Sequence, residues 1–99
     1  MITTKRETMR TFKSYVDELK EKMNLNSDYA VAQFLDIKRQ YMTKINNGEV
    51  LGKEKCYRIA QALKRDPLEI IATALAQKET NRDLKAVWIK LAKEKGNNE

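Results

Sequence analysis

Apolar positions along the chain recur mainly at helical spacing. Phe12, Tyr15, Val16, Leu19 and Met23 fall at i, i+3, i+4, i+7 and i+11, the stripe that an amphipathic helix buries. Thr4 with Glu7 is a candidate capping box, and Thr8 and Thr11 offer later starts. The spacing predicts a first helix over about residues 8–23, broken at Asn24-Leu25-Asn26.

Asn26 or Ser27 is placed to cap a second helix, with Asp28 favourable in its first turn. Ala30, Val31, Phe34 and Leu35 give its apolar stripe. Asp36-Ile37-Lys38 then reads as a tight connection, and a third helix is expected over about residues 39–46. Gly48 suits the left-handed stop after it. Gly52 or Lys53 opens a fourth helix whose inward face is Cys56, Ile59, Ala60 and Leu63. Asp66-Pro67 is a strong start signal, a capping acid followed by proline at the first helical position. Leu68, Ile71, Ala72 and Leu75 follow in a fifth helix. Thr80 with Asp83 is a second candidate capping box, before a sixth helix carrying Leu84, Val87, Trp88 and Leu91 and ended by Gly96. No strand pattern and no repeat is evident. The expected class is all-α.

The bulk numbers agree. A chain of 99 residues with 41% apolar and 34% charged side chains is one folded domain's worth, and only 3 glycines and 1 proline interrupt it. A domain of this size buries a modest core, so association with a second copy would add stability. Cys56 is the only cysteine, which excludes an internal disulfide and suits a reducing cytoplasm; its place in a helical stripe makes it a small core residue. No apolar run suggests a signal peptide or a membrane span.

The net charge of +6 is unevenly placed. Lys38, Arg39, Lys44, Lys53, Lys55, Arg58 and Lys64 face only Glu49 and Glu54 within residues 38–64, whereas the segments before and after are close to neutral. A local basic field attracts phosphate backbones, although a solvated basic face is the plainer reading.

The third helix makes that field specific. Met42 and Ile45 define an inner face. Arg39, Gln40, Thr43 and Lys44, at i, i+1, i+4 and i+5, then share an outer strip. Arginine bonds guanine O6 and N7 together, glutamine bonds adenine N6 and N7, threonine contacts a thymine methyl, and lysine reaches guanine or a phosphate. Lys38, Asn47, Lys53 and Lys55 flank the strip, better placed for phosphates, and Tyr41 is a further phosphate candidate that can equally pack on a neighbouring helix. Tyr29 is open between phosphate contact and surface packing. Taken singly, each of these residues also reads as an ordinary solvated side chain.

The order of these features resembles the lambda-repressor-like helix-turn-helix family, of the xenobiotic-response-element type. Val31-Ala32, the apolar turn residue Ile37, Asn47-Gly48, Ile59-Ala60-Gln61-Ala62-Leu63 and Asp66-Pro67-Leu68-Glu69-Ile70-Ile71 carry the resemblance, over about half the chain. It implies a five- to six-helix DNA-binding domain with a C-terminal helix extension. It also implies base contacts from Arg39, Gln40, Thr43 and Lys44 and a phosphate contact from Asn47. Two residues depart from the pattern. Asp28 stands where the family often has a phosphate-contacting glutamine, and Asp36 replaces the usual turn glycine.

The expected organisation is a basic N-terminal arm over residues 1–7, a DNA-binding domain over 8–78 and a C-terminal helix over 79–99. Trp88, with Leu84, Val87 and Leu91, either closes the core or contributes a dimerisation face. The expected function is a cytoplasmic, nucleoid-associated transcription regulator, of the phage or prophage repressor kind, acting on double-stranded DNA as a homodimer. An antitoxin that binds a toxin through its last helices is the alternative from another class, and an architectural DNA-bending factor is a third. No membrane or small-molecule partner, no cofactor and no metal is expected. Without a histidine, a phosphate-cradling glycine loop or a cysteine pair, no enzymatic chemistry is expected.

Overall fold

A computed structural model describes residues 10–96, which form six α-helices and no strand: α1 (Phe12–Lys22), α2 (Asp28–Leu35), α3 (Gln40–Asn46), α4 (Lys53–Leu63), α5 (Pro67–Lys78) and α6 (Arg82–Gly96). The chain is all-α over this range. The basic arm, the Thr4–Glu7 pair and Thr8 lie outside the described residues.

Side-chain caps set the helix starts. Thr11 Oγ1 accepts from the Ser14 N–H at 3.2 Å, so α1 begins at Phe12. Ser27, not Asn26, caps α2 by accepting from the Ala30 N–H at 3.1 Å. Asp66 accepts from the Leu68 N–H at 2.9 Å, with Pro67 first in α5. Each such cap satisfies a helix-end donor and is worth about 0.5–2 kcal/mol. The start of α6 differs from expectation: Asn81, rather than Thr80, accepts from the Leu84 N–H at 2.9 Å. Glu79 explains this. Its carboxylate bonds both the Asn81 N–H and the Trp88 indole N–H, which sets Asn81 directly before the helix.

Left-handed residues end four helical segments, the first being Asn24 (φ 57°) after α1. Asp36 (φ 57°) closes α2 and Lys64 (φ 59°) closes α4, while Gly48 (φ 105°) follows α3. After α2 the Ile37 N–H bonds the Ala32 carbonyl at 2.9 Å, and after α4 the Arg65 N–H bonds the Ala60 carbonyl at 2.9 Å. Both bonds satisfy carbonyls that the helix leaves open. Helix α6 is described as far as Gly96, the residue expected at its end.

The core is one cluster drawn from α1 to α5. Phe12, Leu19, Val31, Leu35, Ile45, Ile59 and Ile70 are fully buried in it, and Cys56 sits among them as a small apolar side chain. Burial pushes the Cys56 thiol up to about 12, so it stays neutral and unreactive. At about 1.5–3 kcal/mol per fully buried large side chain, this cluster dominates stability. Outside it, α6 lies along α5. Ala72 and Ala76 on α5 and Ala92 on α6 are buried but stand apart from the main cluster, small residues where two helices run close together.

A polar network joins the first and last parts of this core. The Tyr15 hydroxyl donates to buried Glu69, whose carboxylate also accepts from Arg65 at 3.2 Å. Arg65 and Arg10 converge on Glu18, and the Arg10 guanidinium lies 3.9 Å from the Tyr15 ring centre. No buried side-chain polar atom among the described residues lacks a partner.

Candidate nucleic-acid interface

Helix α3 is short, and its inner side anchors it. Met42 and Ile45 are almost fully buried in the core, and Ile37 packs against the same cluster from the turn. The helical period then forces the remaining positions outward. Arg39, Gln40, Thr43 and Lys44 are all exposed. Arg39 is the residue just before α3 rather than within it, with helical backbone angles and no side-chain cap bond.

Three of these side chains line an open cleft of about 440 Å³, together with Ser27, Asp28 and Tyr29 from the start of α2 and Met42 beneath. Lys44 stands outside it, with its ammonium 5.4 Å from the Tyr41 ring centre. The cleft thus presents a guanidinium, a carboxamide and a hydroxyl side by side. Each of these groups donates hydrogen bonds, and the latter two also accept them.

The connection between α2 and α3 is held from outside. Asp36 occupies a left-handed position (φ 57°), a conformation Asp tolerates better than most residues. Two cations of α4 bond the carbonyls at this end of α2. Arg58 Nε donates to the Phe34 carbonyl at 2.7 Å with its guanidinium 4.3 Å from the Phe34 ring centre, and Lys55 Nζ reaches the Asp36 carbonyl at 3.5 Å. Positive charge at a helix C-terminus complements the helix dipole.

The electrostatics separate the basic stretch from the rest of the molecule. Ion pairs among the described residues occupy Arg10, Lys13, Lys20, Arg65 and Lys78. None of the basic side chains within residues 38–64 takes part in one. Glu49, one of the two acids in that stretch, is itself neutralised by Lys78 at 3.1 Å. The basic residues in excess in the sequence are therefore not paired off by carboxylates in the fold.

The flanking residues fall into two groups. Lys38, Asn47 and Lys53 are exposed around α3 and at the start of α4, and Lys55 is partly covered through its bond to Asp36. Tyr41 is half-buried, and its hydroxyl donates to the Val50 carbonyl at 3.4 Å, so a phosphate contact from Tyr41 requires giving up that bond. Tyr29 is exposed and accepts from Gln33 Nε2 at 3.2 Å, which leaves its own O–H free to donate. Leu84 and Val87 on α6 are exposed at 41% and 53%, whereas Trp88 and Leu91 are half-buried.

Sequence reasoning counted Arg58 only as part of the basic stretch and missed its bond to Phe34, as it missed the Lys20–Asp28 ion pair and the Tyr15–Glu69 bond. Their partners lie 24, 8 and 54 residues apart, and a spacing rule for one helix does not reach that far. Among the described residues, no histidine, cysteine or carboxylate group is arranged to hold a metal, and no helix is long and apolar enough to cross a membrane. Compared with known protein families, characterised proteins and solved structures, the chain matches none.

Proposed function

We propose that this chain is a sequence-specific double-stranded DNA-binding regulator that reads the major groove with the exposed ridge Arg39, Gln40, Thr43 and Lys44. One observation carries the reading: a short helix, pinned by Met42 and Ile45, presents these side chains within a stretch of chain, residues 38–64, whose basic residues pair with no carboxylate. Base-edge chemistry and phosphate attraction are then adjacent. In this reading α2, the turn and α3 form a helix-turn-helix unit within a lambda-repressor-like domain, and Lys38, Asn47, Lys53 and Lys55 contact phosphates.

The proposal includes a homodimer on a palindromic operator, acting as a repressor of the phage or prophage kind. The exposed apolar residues support a second copy. Leu84, Val87 and Leu91 recur at i, i+3 and i+7 of α6, as do Leu68, Ile71 and Leu75 of α5. Gly96 at the end of α6 lies against Glu69 near the start of α5, so the helices run antiparallel. Helical handedness then sets both stripes on one flank of the pair, where Leu68, Leu75, Leu84 and Val87 are exposed and Ile71 borders the main core. The same flank fits the second reading, an antitoxin that covers it with a toxin.

Selection of bound fragments from random DNA by the full chain tests the proposal. A palindromic consensus supports both binding and two-fold symmetry. Recovery of no enriched sequence overturns specific recognition, and a mass change only with a toxin favours the second reading.

A further inference from the structure

Asp28 and Arg39 line the same cleft, yet they do not form an ion pair. The Asp28 carboxylate is instead held by Lys20 Nζ at 3.2 Å. Lys20 belongs to α1, which lines no part of that cleft; it borders a neighbouring hollow with Asp17, Glu21, Asn24, Leu25 and Asn26. Asp17 does not compete for Lys20, because Lys13 occupies it at 3.0 Å. Of the two cations, Lys20 on α1 and Arg39 just before α3, the one that lines no part of the cleft holds the carboxylate.

An ordinary surface ion pair contributes little to stability. Its position gives this one a different consequence. A guanidinium paired with an internal carboxylate has fewer donors for a base edge, and the unneutralised acid repels phosphate. We propose that Lys20 is a positioning residue for the ridge: by holding Asp28 it keeps Arg39 available to DNA. The inference rests on the DNA-binding reading and adds a residue that touches neither bases nor the cleft.

Two readouts on the full chain test it: the Arg39 Nε–H resonance of the free protein, and affinity for a short mixed-sequence duplex at low salt. Lys20→Met is expected to shift the resonance, as Arg39 pairs with Asp28, and to weaken binding by up to about fivefold. Adding Asp28→Asn is expected to restore both. Lys22→Met removes an equal charge from the same helix without releasing Asp28, so the resonance should stay in place and the affinity loss should be smaller. An unmoved resonance in Lys20→Met, or a loss equal to that of Lys22→Met, overturns the proposal while leaving DNA binding intact. If the wild-type chain binds no duplex, the DNA reading itself fails, whatever the resonance does.

Discussion

Arg58 of α4 donates through Nε to the carbonyl of Phe34, the next-to-last residue of α2, and lays its guanidinium over the Phe34 ring. One side chain thereby fixes the end of α2, where the turn to α3 begins. Lysine retains the charge but has neither the planar stacking surface nor the Nε–H. Arg58→Lys is therefore expected to lower stability by about 1 kcal/mol, from a charge-assisted hydrogen bond and an exposed cation–π contact. DNA affinity should fall while the salt slope stays near that of the wild type. Chemical denaturation and a salt titration of binding check this. An unchanged denaturation midpoint would mean that the contact does not hold the turn.

In the proposed reading, Arg39 reads a base from the entry to α3. Replacing it with alanine is expected to cost ~1–3 kcal/mol on the preferred sequence and to relax preference at one base position. Binding measured across a panel of single-base variants of the selected sequence distinguishes the roles. Equal losses on every duplex would make Arg39 a phosphate contact rather than a reader of bases.

How much of this was legible beforehand depends on the range of the interaction. Apolar spacing placed all six helices, because each buries a face defined by its own period. Ser27, Asp66-Pro67 and Gly52 marked helix starts through contacts within a few residues. The ridge on α3 was legible for the same local reason: burying Met42 and Ile45 leaves Arg39, Gln40, Thr43 and Lys44 on the outside. Lys64 in a left-handed conformation was not, since lysine has no preference for that region and adopts it to let Arg65 bond back to Ala60. Arg58 on Phe34, Lys20 on Asp28 and Tyr15 on Glu69 were hidden because the folded core chooses those partners.

The Glu18 carboxyl connects acid stability to the network around α1. Partial burial raises its pKa, but hydrogen bonds from Arg65 and Arg10 outweigh that and hold it below its ordinary value of 4.5. A carboxyl lowered in the folded state stabilises the fold above the unfolded-state pKa. That contribution disappears as pH falls from there through the lowered value. Glu18→Gln is expected to lower the thermal midpoint near neutral pH and to flatten the decline on acidification below about 4.5. Thermal melts across this range provide the check, and a decline as steep as in the wild type would assign the acid sensitivity to other groups.

Salt dependence tests the interface as a whole. Cations that no internal carboxylate occupies are free to displace counterions from DNA, and each phosphate neutralised adds about 0.9 to the slope of log affinity against log salt. Lys38, Lys53 and Lys55 are assigned to phosphates, so Lys53→Ala should reduce that slope by about 1 and weaken binding to every sequence alike. A slope already flat in the wild type would be incompatible with a groove-bound α3.

The flank of α5 and α6 yields the last prediction. Leu84 and Val87 are exposed at 41% and 53%, so a charge placed there meets water in a monomer and an apolar surface in a dimer. Val87→Asp should therefore leave the thermal midpoint of dilute protein close to the wild-type value and shift sedimentation from dimer to monomer. Each half-site should still be recognised, but without the second head the affinity for a palindromic duplex should drop by at least tenfold, since linked binding events gain about 10²–10⁴ in avidity. Ala92→Asp provides the contrast. Ala92 is buried where α6 meets α5, so this change should lower stability at any protein concentration. Val87→Asp protein that stays dimeric would place the two-fold contact elsewhere on the surface and leave this flank open to another partner.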